Sequence, residues 1–183
     1  MRAALLKQLD ALNTDLESLF SGLEQYSHEQ LNQQPAPDSW CATQVLQHLL
    51  HSEMYSRQYC EKKLSFSPEL DNAGFMDKIR TVLVSGYFSL PLKLEAPKAI
   101  NTDALPREST LAEIRKTYGE QREQLREFLS TVDDQYLGKA VYKHPFAGRL
   151  SISGMLHFFT AHFAHHRKQI RRAVNTTSPV ATT

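Results

Sequence analysis

Residues 151–174 read SISGMLHFFTAHFAHHRKQIRRAV. Ile152, Met155, Leu156, Phe159, Phe163 and Ile170 recur there at the intervals of one apolar helix face, so the segment predicts a long amphipathic helix from about Ser151 to Val174. Each residue turns an α-helix by roughly 100°, which places His166 about 40° and His162 about 80° from the centre of that stripe, on the same side. His157 and His165 fall on the outer half. An i, i+4 pair stands one turn apart on one face, close enough for both imidazoles to reach one ion.

Three further segments carry the same period. Residues 3–24 place Leu5, Leu9, Leu12, Leu16, Leu19 and Leu23 at steps of three and four. A second long helix is expected from Trp40 to about Leu64, capped by Asp38 or Ser39, with Val45, Leu49, Ser52 and Tyr59 on one side. A third follows the box Thr110-x-x-Glu113 and carries Leu111, Ile114, Tyr118, Leu125, Phe128, Leu129 and Val132. Between the first two, SHEQLNQQPAPDSW (27–40) holds a Ser27-x-x-Gln30 box and two prolines, which predicts a short helical turn and a connector. Residues 65–109 are broken by Pro68, Gly74, Gly86, Pro91, Pro97 and Pro106, and only Phe75 to about Phe88 has room for a helix. GKAVYKHPFAGR (138–149) reads as a loop, and no segment reads as a strand. The expectation is an all-α four-helix bundle with a long crossover between the second and third long helices. Residues 1–174 form its single domain, and 175–183 are a flexible polar tail.

Composition narrows the function. Lys plus Arg number 21 against Asp plus Glu at 20 over 183 residues, without a long run of either sign. Neither a nucleic-acid backbone nor an anionic membrane is therefore an expected partner. The leading MRAALLKQLDALNTDLESLF is interrupted by Lys7, Asp10, Asp15 and Glu17, unlike a signal peptide, and no stretch approaches a membrane span. Cys41 and Cys60 are too few for a disulfide framework, so a reducing, cytoplasmic setting is expected.

His48 lies beside the apolar stripe of the second long helix and completes a candidate metal set with His162 and His166, while His51 points further away. Imidazoles suit Zn, Ni, Fe or Cu over Mg or Ca, and Zn or Ni is the expected ion. Three protein ligands leave a coordination position open for water or substrate. Spacing alone leaves another reading open, in which these are core-edge histidines satisfying hydrogen bonds. Glu53 reads as a solvent-facing acid, with a role beside the metal or as general base as the alternative. Cys41 reads as a small buried filler and Trp40 as a core anchor, and the LHSE and RKQIRR charges read as solvated faces. The apolar residues of the crossover, among them Phe66, Phe75, Tyr87, Phe88, Leu90 and Leu92, predict that it folds across the bundle and walls a pocket over the metal, with His144 as a second contact; the alternative is that it covers an exposed flank of the core or part of a dimer interface.

The pattern W-x7-H in WCATQVLQHLLHSE (Trp40, His48) and H-x3-H-x2-Q in HFAHHRKQI (His162, His166, Gln169) resembles the DinB/YfiT-like superfamily of metalloenzymes. LEAPK (94–98) and HPFAGRLS (144–151) resemble the crossover and pre-helix segments of one branch, although that branch often reads FKAP where this chain has Leu94-Glu95-Ala96-Pro97. The resemblance implies a four-helix bundle, commonly dimeric, with a three-histidine divalent-metal site at His48, His162 and His166. It further implies a metal-dependent thiol (S-)transferase acting on a small electrophile, with a low-molecular-weight thiol as cosubstrate. A metal-assisted hydrolase and a non-catalytic metal- or ligand-binding stress or sensor protein are the alternatives.

Overall fold

The computed structural model describes residues 1–74, 77, 79–83, 86, 106 and 108–177. Four long helices, α1 (Arg2–Leu23), α3 (Ala42–Leu64), α4 (Leu111–Thr131) and α5 (Ile152–Thr177), are joined by the short α2 (His28–Asn32) and a hairpin of β1 (Tyr142–His144) and β2 (Gly148–Leu150).

Local chemistry sets the helix starts. Ser27 Oγ accepts from the Gln30 amide while Gln30 Oε1 accepts from the Ser27 amide, and Thr110 and Glu113 make the same reciprocal pair before α4. The start expected at Asp38 or Ser39 moves to Cys41. Asp38 sits at a left-handed φ of 59°, which turns the chain, and the Cys41 amide then donates to Gln44 Oε1 at 3.1 Å. Ser151 caps α5, its Oγ accepting from the Gly154 amide at 2.9 Å. Asp77 reaches over from the crossover to take both the Ser151 amide and its hydroxyl at 2.8 Å. At its far end α5 runs three residues past the expected Val174, to Thr177.

Pairings along the helices fix their directions. Arg57 on α3 meets Gln121 and Gln124 on α4 while Glu53 meets Tyr118 and Arg122, so α3 and α4 run parallel. His48 meets His162 and Cys60 meets Met155, so α3 and α5 are antiparallel. Asn13 pairs with Arg122 and Glu24 with Arg115, making α1 antiparallel to α4. The bundle is thus up-down-down-up, and the chain must travel back along its whole height between α3 and α4. For a helix of 23 residues that height is roughly 34 Å. This return path accounts for a crossover too long for a simple connector. At its start Asn72 bridges Lys139 beside the end of α4, and at its finish Ser109 is held by Asn32 at the opposite end. Residues 77, 79–83 and 86 are helical, within the span expected to hold a helix. Phe75, Tyr87, Phe88, Leu90, Leu92 and the LEAPK segment, and with them the expected pocket wall, lie outside the described residues.

The apolar stripes meet in two clusters. One, around Leu9, Leu129, Leu156 and Phe159, fills the end where α5 begins, and the other, around Phe20, Leu46, Tyr118 and Ile170, fills the opposite end. All six leucines of the α1 stripe are buried. The hairpin corrects the expected loop: Tyr142 pairs with Leu150 and His144 with Gly148. Gly148 sits at φ 78°, a conformation a side chain would strain, and lets the chain reverse within the turn. Among the described residues no helix is long and apolar enough to cross a membrane.

Candidate metal centre

The antiparallel packing of α3 on α5 brings the second turn of one against the middle of the other, and His48, His162 and His166 converge there. Each is buried, at 5, 5 and 8 % exposure. Nε2 of His162 lies 3.1 Å from Nε2 of His48 and 3.0 Å from Nε2 of His166. Two nitrogens bound to one ion at about 2.0–2.1 Å stand about 2.8–3.4 Å apart for angles between a right angle and the tetrahedral value, so the observed spacing fits a shared ion. The donor set fits as well, since three imidazole nitrogens suit a borderline divalent cation. Among the described residues, this is the group of His, Cys, Asp and Glu side chains whose ligand atoms converge closely enough to hold a metal, and no fourth such side chain joins it.

Burial sets the protonation. It pushes His48 down to about 4, aided by the charge of His51, and His166 down to about 3, aided by His48. His162 lies well below the ordinary imidazole value, first through burial and then through His166 and His48. At neutral pH all three are uncharged lone-pair donors, the state a metal requires. Aromatic rings fix their planes. Phe158 stacks on His162 with centroids 5.0 Å apart, and Trp40 tilts against His48 at 5.0 Å. Trp40 therefore joins the core, as expected, and also touches a ligand ring. His166 Nδ1 lies 2.8 Å from Gln169 Oε1. Nδ1 of His48 is buried without a hydrogen-bond partner among the described residues, while its Nε2 faces His162.

The remaining candidates separate from this centre. His157 is exposed and His165 half-buried, consistent with the outer half of the helix wheel. His144 is buried, and its Nδ1 accepts from the amides of Phe146 (3.2 Å) and Ala147 (3.1 Å), which leaves the hydrogen on Nε2 and makes the ring a hairpin staple. It touches Phe158 edge to face at 4.6 Å, one ring removed from His162. Cys41 is buried as expected; since the Thr43 hydroxyl donates to Asn32 Oδ1, the Cys41 thiol is the donor in its 3.1 Å contact with Thr43.

Glu53 is not solvent-facing. It is 5 % exposed and forms a salt bridge with Arg122 Nε at 2.8 Å, while Tyr118 Oη and Arg122 Nη2 donate to its other oxygen at 2.9 Å. Burial raises its pKa against the opposing pull of Arg122 and Tyr118. This carboxylate is committed to Arg122 and Tyr118 and ties α3 to α4. An open groove of about 780 Å³ lies between the end of α1, α2 and the start of α4, lined by Tyr26, Leu31, Leu111, Arg115 and others, and contains none of the three histidines.

No curated protein and no solved structure matches this chain. The family model described as DinB superfamily matches residues 8–170, a span that reaches into every long helix and contains all three converging histidines, and the chain belongs to the DinB superfamily.

Proposed function

We propose that this protein is a metal-dependent enzyme in which His48, His162 and His166 hold one divalent ion, Zn or Ni, and a low-molecular-weight thiol is transferred to a small electrophile. The observation that carries the reading is the convergence of three buried, neutral imidazoles with their Nε2 atoms 3.0 and 3.1 Å apart and no fourth His, Cys, Asp or Glu ligand among the described residues. Three ligands leave coordination open to a substrate atom. A bound ion would supply Lewis acidity, lowering the pKa of a coordinated thiol or water. The chain's own part is to keep the imidazoles neutral by burial, to fix their planes through Trp40 and Phe158, and to exclude bulk water. Glu53, the base named for the hydrolytic alternative, is instead held by Arg122 and Tyr118. The proposal includes a small-molecule substrate and a homodimer, for which the exposed Tyr55, Val82, Leu83 and Phe146 offer apolar surface.

A second reading, non-catalytic metal binding, is favoured by the low exposure of the three rings, which is at most 8 %. One experiment separates the two. Protein expressed with added Zn and Ni is analysed for metal, then assayed for loss of free thiol with a panel of thiols and alkylating electrophiles. The proposal expects bound metal and thiol consumption that disappears in His162→Ala. Bound metal without consumption across the panel selects the non-catalytic reading, and absence of metal refutes both.

A further inference from the structure

Gln169 stands three residues after His166 on α5, half-buried, with Oε1 2.8 Å from His166 Nδ1. A carboxamide oxygen has lone pairs and no hydrogen, so Nδ1 carries the proton at this contact. A neutral imidazole has one ring hydrogen. Its Nε2 is thereby left as a bare lone pair, and that atom is the one 3.0 Å from Nε2 of His162. With no acceptor at Nδ1, the ring hydrogen would be free to occupy Nε2, where it points at His162 and blocks the atom that must bind. The contact also holds the ring plane against rotation about its bond to the helix, at a position where neighbours three apart face each other.

We propose that Gln169 is a positioning residue: it holds His166 in the Nδ1–H tautomer and so sets the affinity of the three-histidine centre for a divalent cation. The inference rests on the metal-centre reading above. A group that hydrogen-bonds the far nitrogen of a ligand histidine orients the ring and strengthens it as a donor, and losing it typically weakens binding by about 10- to 100-fold.

Two substitutions test the role. Gln169→Met keeps length and helix propensity but removes the acceptor, whereas Gln169→Glu keeps an acceptor oxygen and cannot donate. The first readout is independent of metal: nitrogen chemical shifts of the His166 ring in the metal-free protein. The parent and Gln169→Glu are expected to show protonated Nδ1, and Gln169→Met a shift toward the Nε2–H form. The second is the dissociation constant for Zn and for Ni alone, from competition with a chelator. Gln169→Met is expected to bind about 10- to 100-fold more weakly, and Gln169→Glu within about threefold of the parent or more tightly. Equal affinity in Gln169→Met, or failure of Gln169→Glu to restore it, overturns the role of Gln169 while leaving the metal centre standing. No uptake of either ion by the parent overturns the centre, and the affinity claim with it, whatever the ring tautomer.

Discussion

Acidifying the metal-free protein from pH 6.5 to 5.5 should cost it a large part of its stability, and the buried histidines fix the size of the loss. His48, His144, His162 and His166 are all buried. Burial lowers His48 and His144 to about 4, His166 to about 3, and His162 well below its ordinary 6.5. The sign follows from proton counts: in the unfolded chain each ring titrates near 6.5 and by pH 5.5 carries about 0.9 of a proton, while in the fold it carries almost none. The unfolded state binds more protons, so stability is fully present above pH 6.5 and falls as pH drops below it. Integrating over that unit gives about 1 kcal/mol per ring, or roughly 4 kcal/mol for four. Glu53 works the other way, because burial raises its pKa and proton uptake by the fold offsets at most about 1.4 kcal/mol. A net loss of about 3 kcal/mol is a large fraction of the roughly 5–15 kcal/mol that holds a domain together. Urea titrations of chelator-treated protein at pH 6.5, 6.0 and 5.5 measure it, with an expected fall in midpoint of about 1.5 M for a slope near 2 kcal/mol per molar. His48→Leu should reduce this net loss by about a third. A midpoint that stays constant over this range, or a His48→Leu variant with the parent's full pH dependence, would refute the burial of neutral imidazoles as its cause.

Other perturbations address the site and its frame. His162→Ala or His166→Ala should abolish bound metal while His157→Ala and His165→Ala keep it; equal metal in all four by elemental analysis would remove the three-histidine centre. Arg122→Met strands Glu53 without its cation and should destabilise the protein by about 3–5 kcal/mol in urea, against about 1 kcal/mol for Tyr118→Phe. A cost below about 1 kcal/mol for Arg122→Met would mean that Glu53 does not depend on it. For the proposed homodimer, light scattering at micromolar concentration should give twice the chain mass of 20.9 kDa, and the single-chain mass would refute it.

What the sequence reveals and what it hides divide along a physical line. Within one helix, spacing sets distance. The stripes of α1, α4 and α5 are therefore readable from residues such as Leu9, Leu129 and Phe159, and so is the approach of His162 to His166, one turn apart. His48 is readable only as a histidine beside a stripe, and it is the antiparallel register of α3 on α5 that turns it into a partner. Three-residue strands are too short for an alternating pattern, so Tyr142–His144 and Gly148–Leu150 pass for loop. The Glu53–Arg122 pair is hidden for a different reason. Arg122 lies between Tyr118 and Leu125 on an apolar stripe, and Glu53 stands one turn after Leu49 on another, so each sequence position carries a signal of a charge facing the core. Read helix by helix, each charge looks like an interruption at a stripe edge, because what pairs them is the parallel alignment of α3 with α4. The length of the crossover encodes that alignment: two neighbouring helices joined by a short turn must run antiparallel, whereas a return path as long as the bundle permits them to run side by side in one direction. Two opposite charges at core positions on helices separated by such a segment are therefore evidence of a parallel pair, and the buried Glu53–Arg122 tie is the expected consequence of reading them together.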